Sequence, residues 1–369
     1  MGIGMNLDDT PYYGPINLKG NKMSLLDKLK AAGSVKATTL EDSLMFQVKE
    51  FVPTRIPIIN VALSGKVDGG LSNGLTVLAG PSKHFKSQLG LVMVQAYMKQ
   101  HKDGVCLFYD SEFGVTPEYL ASHGIDTSRM LHIPIEHIEQ LKFDLSKRLD
   151  EIKRGDKVIV FIDSVGNLAS KKEVDDALDE KAVADMTRAK QLKGLFRIVT
   201  PHFTLKDIPC IVIGHTYDTQ EMFSKQVLSG GKGLYYSANQ IFMIGRSQDK
   251  GSDGIEGYNF SLNVDKSRFV KEKSKLEFNV NFDSGINKWS GLMELALESG
   301  HVKKPSNGWF TRVDQETGEI EEKKWRKADS DSKEFWMPVL TQQSFLDFVK
   351  NKYQLSVNPM MQFDDSEDE

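Results

Sequence analysis

Leu75-Thr76-Val77-Leu78-Ala79, followed at once by Gly80-Pro81-Ser82-Lys83-His84-Phe85-Lys86-Ser87, is the stretch that decides the fold. A short apolar run leads into a glycine turn, and residues 86–99 then read as a helix. Strand, tight turn and helix in that order are the context a phosphate-binding loop needs. In such a loop the backbone N–H groups and the helix N-terminus point at phosphate oxygens. The Lys86 ammonium would reach the β- and γ-phosphates, and the Ser87 hydroxyl would ligate Mg²⁺. ATP and Mg²⁺ are therefore the expected ligands, with Gly80, Pro81, Ser82, Lys83, His84, Phe85, Lys86 and Ser87 as the cradle. One position departs from the pattern G-x-x-x-x-G-K-[ST]: Phe85 stands where the second glycine belongs. The bland alternative is a glycine-containing turn before a core helix with a chance Lys-Ser pair, and the flanking strand and helix argue against it.

Working outward, apolar runs alternate with helical patterns. Val105–Asp110, Lys157–Asp163 and Ile208–Gly214 read as buried strands, and Ile138, Leu141, Leu145, Leu149 and Ile152 recur three or four apart on one helix face. This order predicts an α/β fold, a mainly parallel twisted sheet between helices. Residues 240–282 alternate more and should continue the sheet with antiparallel strands. We expect a flexible tail over 1–22, then an N-terminal segment over 23–54 whose helix at 24–32 has Ser24 as N-cap and Gly33 as C-cap. The core spans 55–288. A small C-terminal α/β region over 289–357 holds helices near 289–299 and 341–352 and a polar hairpin near Asp314–Glu322. An acidic disordered tail covers 358–369.

Composition bounds the function without choosing it. The 369 residues are 40% hydrophobic and 27% charged, as in an ordinary soluble domain. No apolar run is long enough for a membrane span, and no signal-peptide layout is present. Cys106 and Cys210 lie in or beside strand-like runs, which points to a reducing compartment rather than a disulfide framework. The eight histidines show no zinc-ligand spacing. A net charge of −4 gives no support for a broad nucleic-acid face, so any DNA contact must use a local patch and backbone donors.

Ligands of an open parallel sheet bind at the carboxyl ends of its strands. Asp163 ends one strand, where a carboxylate would hold Mg²⁺ through water; capping the next turn is its structural alternative. Glu112 could orient the water that attacks the γ-phosphate, with Asp110 as a competitor, one of the two being structural. His215 ends another strand and could sense the γ-phosphate, although a lone histidine more often has a structural role. Together these residues describe a phosphoryl-transfer site.

The order Gly80–Ser87, Phe108-Tyr109-Asp110-Ser111-Glu112, Val160-Phe161-Ile162-Asp163-Ser164, then a strand ending in a polar residue and a glycine-bearing loop, resembles RecA-type recombinases. Asn167–Glu173, Asp185–Lys190 and Thr219–Lys225 are similar to the UvsX-type branch of tailed bacteriophages, over about residues 24–350. That branch shares the bulky residue at position 85; His215 stands where the bacterial proteins have glutamine.

The resemblance implies a RecA-like P-loop ATPase core and an ATP-dependent recombinase that forms a helical filament on single-stranded DNA and pairs it with homologous double-stranded DNA. Glu112 becomes the catalytic base, with Thr116 and Tyr119 against adenine. Stacking suits Tyr119, and packing its helix onto the sheet suits it equally. Two DNA-binding loops are implied near Ser170–Glu180 and Thr216–Gly233. Candidate contacts are Phe223, Lys225, Gly230, Gly231 and Lys232, with Arg188 and Lys193 as weaker ones. The second loop balances Asp218 and Glu221 against Lys225 and Lys232, so its glycines are the better sign. Lys266 and Arg268, in a run of five positive and two negative charges over 265–275, would reach a neighbour's ATP as arginine fingers do; a solvated strand edge is their ordinary reading. The helix 24–32 would tether adjacent subunits. A single-strand binding protein and a recombination mediator are implied partners, no membrane is, and the setting would be the host bacterial cytoplasm. Two other functions fit the same motifs: a ring helicase translocating on single-stranded DNA, distinguishable by closed hexamers, and a nucleotide-gated scaffold, distinguishable by a lack of DNA-stimulated turnover.

Overall fold

The computed structural model describes residues 24–43, 50–179, 187–219, 226–251 and 254–355. The tails expected over 1–22 and 358–369, and Phe223 and Lys225, lie outside the described residues. The chain divides into two compact units, Met1–Val48 and Lys49–Glu369. In the first, helix α1 (Leu25–Ala32) begins where expected: the Ser24 hydroxyl accepts from Asp27 N–H at 3.1 Å. Leu25, Leu26 and Leu29 of α1 are exposed. Gly33 follows at φ −83°, so the helix ends without the left-handed cap that a glycine there suggests.

The second unit opens with α2 (Pro57–Ser64), whose eight residues are all buried. A helix buried on every side, its two polar residues Asn60 and Ser64 included, has no solvent-facing stripe to announce it. The chain then alternates: β1 (Gly74–Ala79), α3 (Lys86–Gln100), β2 (Val105–Asp110), α4 (Pro117–Ser122), β3 (Met130–Pro134), α5 (Ile138–Glu151), β4 (Val158–Asp163), α6 (Lys171–Leu178), α7 (Thr187–Leu205) and β5 (Pro209–Gly214). A hairpin of β6 (Thr216–Asp218) and β7 (Gln226–Leu228) and the short α8 (Gly231–Ser237) follow, then β8 (Gln240–Gly251), β9 (Gly254–Ser267), β10 (Lys275–Asn281) and β11 (Gly285–Ile286).

Among the described residues these build a nine-stranded sheet in the order β11-β10-β9-β8-β1-β5-β4-β2-β3. The pairs from β8 to β3 are parallel and those from β8 to β11 antiparallel. This is the expected α/β fold with its antiparallel continuation. The parallel strands are apolar throughout because both faces are covered. Leu78, Phe108, Phe161 and Ile211 point to one side with Leu89 and Met93 of α3, whereas Val77, Leu107, Val160 and Val212 point to the other with α5 and α7. Ile138, Leu141, Leu145 and Leu149 of α5 are fully buried, worth about 1.5–3 kcal/mol each, and Ile152 packs at their edge.

From residue 289 come α9 (Leu292–Glu298), a small sheet of β12 (Val302–Ser306), β13 (Trp309–Arg312) and β14 (Trp325–Arg326), and α10 (Lys327–Ser330), α11 (Lys333–Leu340) and α12 (Gln343–Tyr353). Val313 bridges Ile320 across the expected polar hairpin. Leu292, Trp336, Phe345 and Val349 join the same hydrophobic cluster as α3 and Phe161, so this region extends the core of the sheet. No helix of the described residues is long and apolar enough to cross a membrane.

Candidate nucleotide site

Strand register brings the site together. Ala79 is level with Gly214, and Asp110 with Asp163, so the loops after β1, β2, β4 and β5 open on one edge of the sheet. That edge is where ligands of such sheets bind. The loop Gly80–Phe85 leads directly into α3 at Lys86, a buried residue whose ammonium donates to the Pro81 carbonyl at 2.7 Å. Burial lowers the Lys86 pKa, while Glu112 and Asp163 act against that shift.

Asp163 is 3% exposed, and its Oδ1 has no hydrogen-bond partner among the described residues. Burial pushes its carboxyl up to about 6; the Ser87 hydroxyl pulls it down, and Glu112 and Asp110 push it further up. A buried carboxylate oxygen with nothing to bond, beside a serine hydroxyl, is a donor set suited to a hard divalent cation such as Mg²⁺. The expected metal residues, Ser87 and Asp163, fit it.

The residues alone left Asp110 and Glu112 as rivals and the resemblance implied Glu112; their surroundings in the structure differ. Asp110 is buried; its Oδ1 accepts from Glu112 N–H at 3.0 Å and Phe113 N–H at 2.8 Å, and its Oδ2 lies 3.1 Å from His132 Nε2. It shapes the turn. Glu112 is exposed and carries its Oε1 to the Ser164 hydroxyl, which donates at 2.8 Å, and to His215 Nε2 at 3.1 Å. A carboxylate oxygen only accepts, so His215 bears its hydrogen on Nε2 in this contact. Gly166 makes room for the ring: a Cβ there would stand 1.9 Å from His215 Cδ2. Ser164 and Gly166 were not singled out from the sequence. Ser164, directly after Asp163 at a strand end, carried a usable signal; Gly166 owes its role to a long-range contact that spacing does not reveal.

The remaining candidates are distributed as follows. The Thr116 hydroxyl accepts from Tyr119 N–H at 3.2 Å and caps α4. The Tyr119 ring is half-buried against the core, 4.3 Å from His123. The first expected DNA-binding loop is largely α6, closed by a capping box of Ser170 and Glu173. Arg188 turns inward, donating to the carbonyls of Leu168, Val165 and Gly166 at 2.6–3.0 Å, and so ties down the segment after Asp163. The second expected loop holds the β6–β7 hairpin, whose far end returns to the site through Ser229 N–H on the His215 carbonyl at 2.8 Å. Gly230 and Gly231 follow at φ +113° and +73°, values that favour glycine; Lys193 and Lys232 are exposed.

Lys266 and Arg268 sit elsewhere. Ser267 pairs with Gln240, and Gln240 with Thr76, whereas the phosphate loop follows Ala79. The two cations therefore lie toward the amino end of β1, away from their own phosphate loop. Lys266 Nζ donates to the Tyr235 and Tyr236 carbonyls at 2.8 and 3.2 Å, and its pKa is lowered by burial and then by Arg268.

A phosphate loop between β1 and α3, a buried carboxylate on β4, and a glutamate on the loop after β2, all at the carboxyl edge of a parallel sheet, define a P-loop nucleotide-binding protein. The family model described as RecA N-terminal domain matches residues 21–287, and that described as Bacteriophage T4, Recombination and repair protein, C-terminal domain matches residues 289–349. The chain is 56% identical over 331 residues to the Recombination and repair protein of Enterobacteria phage T4, covering 89% of this chain and 85% of that one. It is 26% identical over 302 residues to Protein RecA of Arthrobacter sp. (strain FB24), 80% of this chain and 82% of that one, and 27% over 298 residues to Protein RecA of Bifidobacterium breve, 80% and 73%. The chain belongs to the RecA family of strand-exchange recombinases, in the branch of phage recombination and repair proteins.

Proposed function

We propose that this recombinase hydrolyses ATP between adjacent subunits of a filament on single-stranded DNA, and that His215 links that chemistry to the DNA-binding hairpin. The observation that carries the reading is the double contact of His215: its Nε2 meets Glu112, and its carbonyl holds Ser229 at the far end of the hairpin. One residue thus touches both the hydrolytic carboxylate and the segment that would grip DNA.

In this reading Gly80–Phe85 and the first amides of α3 hold the phosphates, Lys86 leaves the Pro81 carbonyl for the β- and γ-phosphates, and Thr116 and Tyr119 flank the adenine. Ser87 and Asp163 would hold Mg²⁺, which when bound would supply positive charge to neutralise the phosphates. Glu112 accepts a proton from water as the water oxygen bonds to the γ-phosphorus, and the bond from that phosphorus to the β-bridging oxygen breaks, releasing ADP and phosphate. Lys266 and Arg268 serve the neighbouring subunit's nucleotide, which their distance from their own phosphate loop supports. Exposed leucines on α1 would pack on the adjacent subunit. Lys193, Gly230, Gly231 and Lys232, with Phe223 and Lys225, would meet the backbone and bases of single-stranded DNA and then of the duplex, while Arg188 braces the loop behind them. A single-strand binding protein, a loading mediator and the cytoplasm of the host cell complete the setting.

Lys86→Ala tests the reading. It should abolish both DNA-stimulated ATP turnover and D-loop formation. Strand exchange that persists with full ATP dependence in this variant overturns it.

A further inference from the structure

The phosphate loop takes a shape that glycine ordinarily serves, yet two of its residues carry side chains there. Phe85 has φ +59° and ψ +18°, and Lys83 also has φ +59°. In this left-handed region the Cβ crowds a carbonyl oxygen, so a non-glycine residue is opposed. Such a residue persists only where its surroundings hold it.

The holding groups are on the antiparallel strands. The Phe85 ring lies 5.1 Å from that of Phe260 on β9 and 5.9 Å from that of Phe278 on β10, and these two are stacked on each other at 5.6 Å. Arg246, on β8, donates Nη1 to the Lys83 carbonyl at 3.0 Å. Its guanidinium lies 4.6 Å over the Tyr258 ring, which in turn neighbours Phe260 at 6.2 Å. Each left-handed residue therefore has its own fastener, and both fasteners belong to the same antiparallel strands. Lys86 and Ser87 come immediately after Phe85. An aromatic ring that merely filled the edge of the core would not require a second tie at the other left-handed residue.

We infer that Phe85 is a positioning residue for the nucleotide site. Its ring, seated on Phe260 and Phe278, fixes the loop in its phosphate-binding shape before ATP arrives, and Arg246 does the same at Lys83. Binding then spends little of its free energy on ordering the loop. The inference rests on the reading of Lys86 and Ser87 as triphosphate contacts.

The test is the affinity of the full chain, without DNA, for a fluorescent non-hydrolysable ATP analogue with Mg²⁺, read beside thermal melting. Phe85→Ala keeps the left-handed penalty and loses the anchor, so its Kd should rise by roughly 10- to 30-fold. Phe85→Gly loses the anchor but also the left-handed penalty, and should bind about fivefold tighter than the alanine variant. Phe260→Leu and Arg246→Ala leave the loop sequence intact and should each weaken binding by about threefold or more. If all four variants bind like the parent and differ only in Tm, Phe85 is core filling and the inference is wrong. If the alanine variant does not fold, Phe260→Leu and Arg246→Ala decide by the same criterion. Lys86→Ala is run alongside: loss of binding there with unchanged affinity across the others overturns this inference alone, whereas retained binding overturns the underlying site assignment as well.

Discussion

The two parts of the large sheet do different work. The parallel strands β1, β2, β4 and β5 are apolar along their length and concentrate their polar groups at one edge, where Lys86, Glu112, Asp163 and His215 converge. Among the described residues, no side-chain hydrogen bond joins the antiparallel strands β8–β10 to the Glu112–Ser164–His215 cluster. These strands offer aromatic rings and an arginine to the phosphate loop near one end, and Lys266 with Arg268 at the other. A parallel sheet covered on both faces can show chemistry only at its ends, whereas these antiparallel strands place their candidate groups at separate points, Arg246 and Phe260 beside the loop and Lys266 apart from it. The candidate residues of the nucleotide site therefore cluster, whereas those on the antiparallel strands are spread.

That contrast can be broken experimentally, and the largest expected effect concerns the cations proposed to act on the neighbour's nucleotide. Arg268→Ala should lower turnover by about 10³-fold or more, the scale of an arginine finger, without loss of nucleotide binding. Mixing it with a Glu112→Gln chain should restore part of the activity, because some interfaces then pair an intact Arg268 with an intact Glu112. Mixtures as inactive as their components would mean that the two residues serve the same subunit's nucleotide, and the division would fail.

Within the parallel part, Glu112→Gln should cost about 10²- to 10⁴-fold in kcat, the range for loss of a general base, with little change in KM. A change confined to KM would make Glu112 a binding group.

The smallest effect is a pH dependence. Asp163 has a carboxyl raised to about 6 by burial, so without a cation it is increasingly protonated below that pH. Mg²⁺ binding must displace this proton, and Mg²⁺-dependent nucleotide affinity should fall as pH drops from 7 toward 5, by at most about tenfold per unit. The raised native pKa also means that ionising Asp163 costs stability: its contribution declines as pH rises from the ordinary carboxylate range through about 6. Asp163→Asn should flatten the Mg²⁺ profile, as titrations at several pH values would reveal; an unchanged slope would assign the proton to another group.

How much of this could be read in advance follows the same division. β1 with its loop and α3, the strand ending in Asp163, and the buried face of α5 were legible because their signals are local: a period, a turn, a strand end. The different settings of Asp110 and Glu112 were not legible from local signals, and only the resemblance separated the two, because they depend on which carboxylate folds back onto its own turn. Gly166 shows itself only through a ring some fifty residues away in the chain, and α2 presents no solvent-facing stripe from which a helical period could be read. The seat of Phe85 was hidden for a related reason: a missing glycine is visible in the motif, but the rings that replace its function are on β9 and β10. Arg188, a candidate for phosphate contact, is occupied with three carbonyls, and no charge count distinguishes a brace from a free cation.

Strand β9 has one further implication. Phe260 touches the chain's own phosphate loop, and Lys266 lies six residues along the same strand, about 20 Å away at the usual rise. The ladder between them is not uniform: Val264 pairs with Phe242 and Lys266 with Ile241, which leaves Asp265 as an extra residue, a bulge that bends a strand and re-aims its side chains. The end of β9 that seats the phosphate loop is thereby set apart from the end that carries Lys266, and each can be aimed without realigning the other.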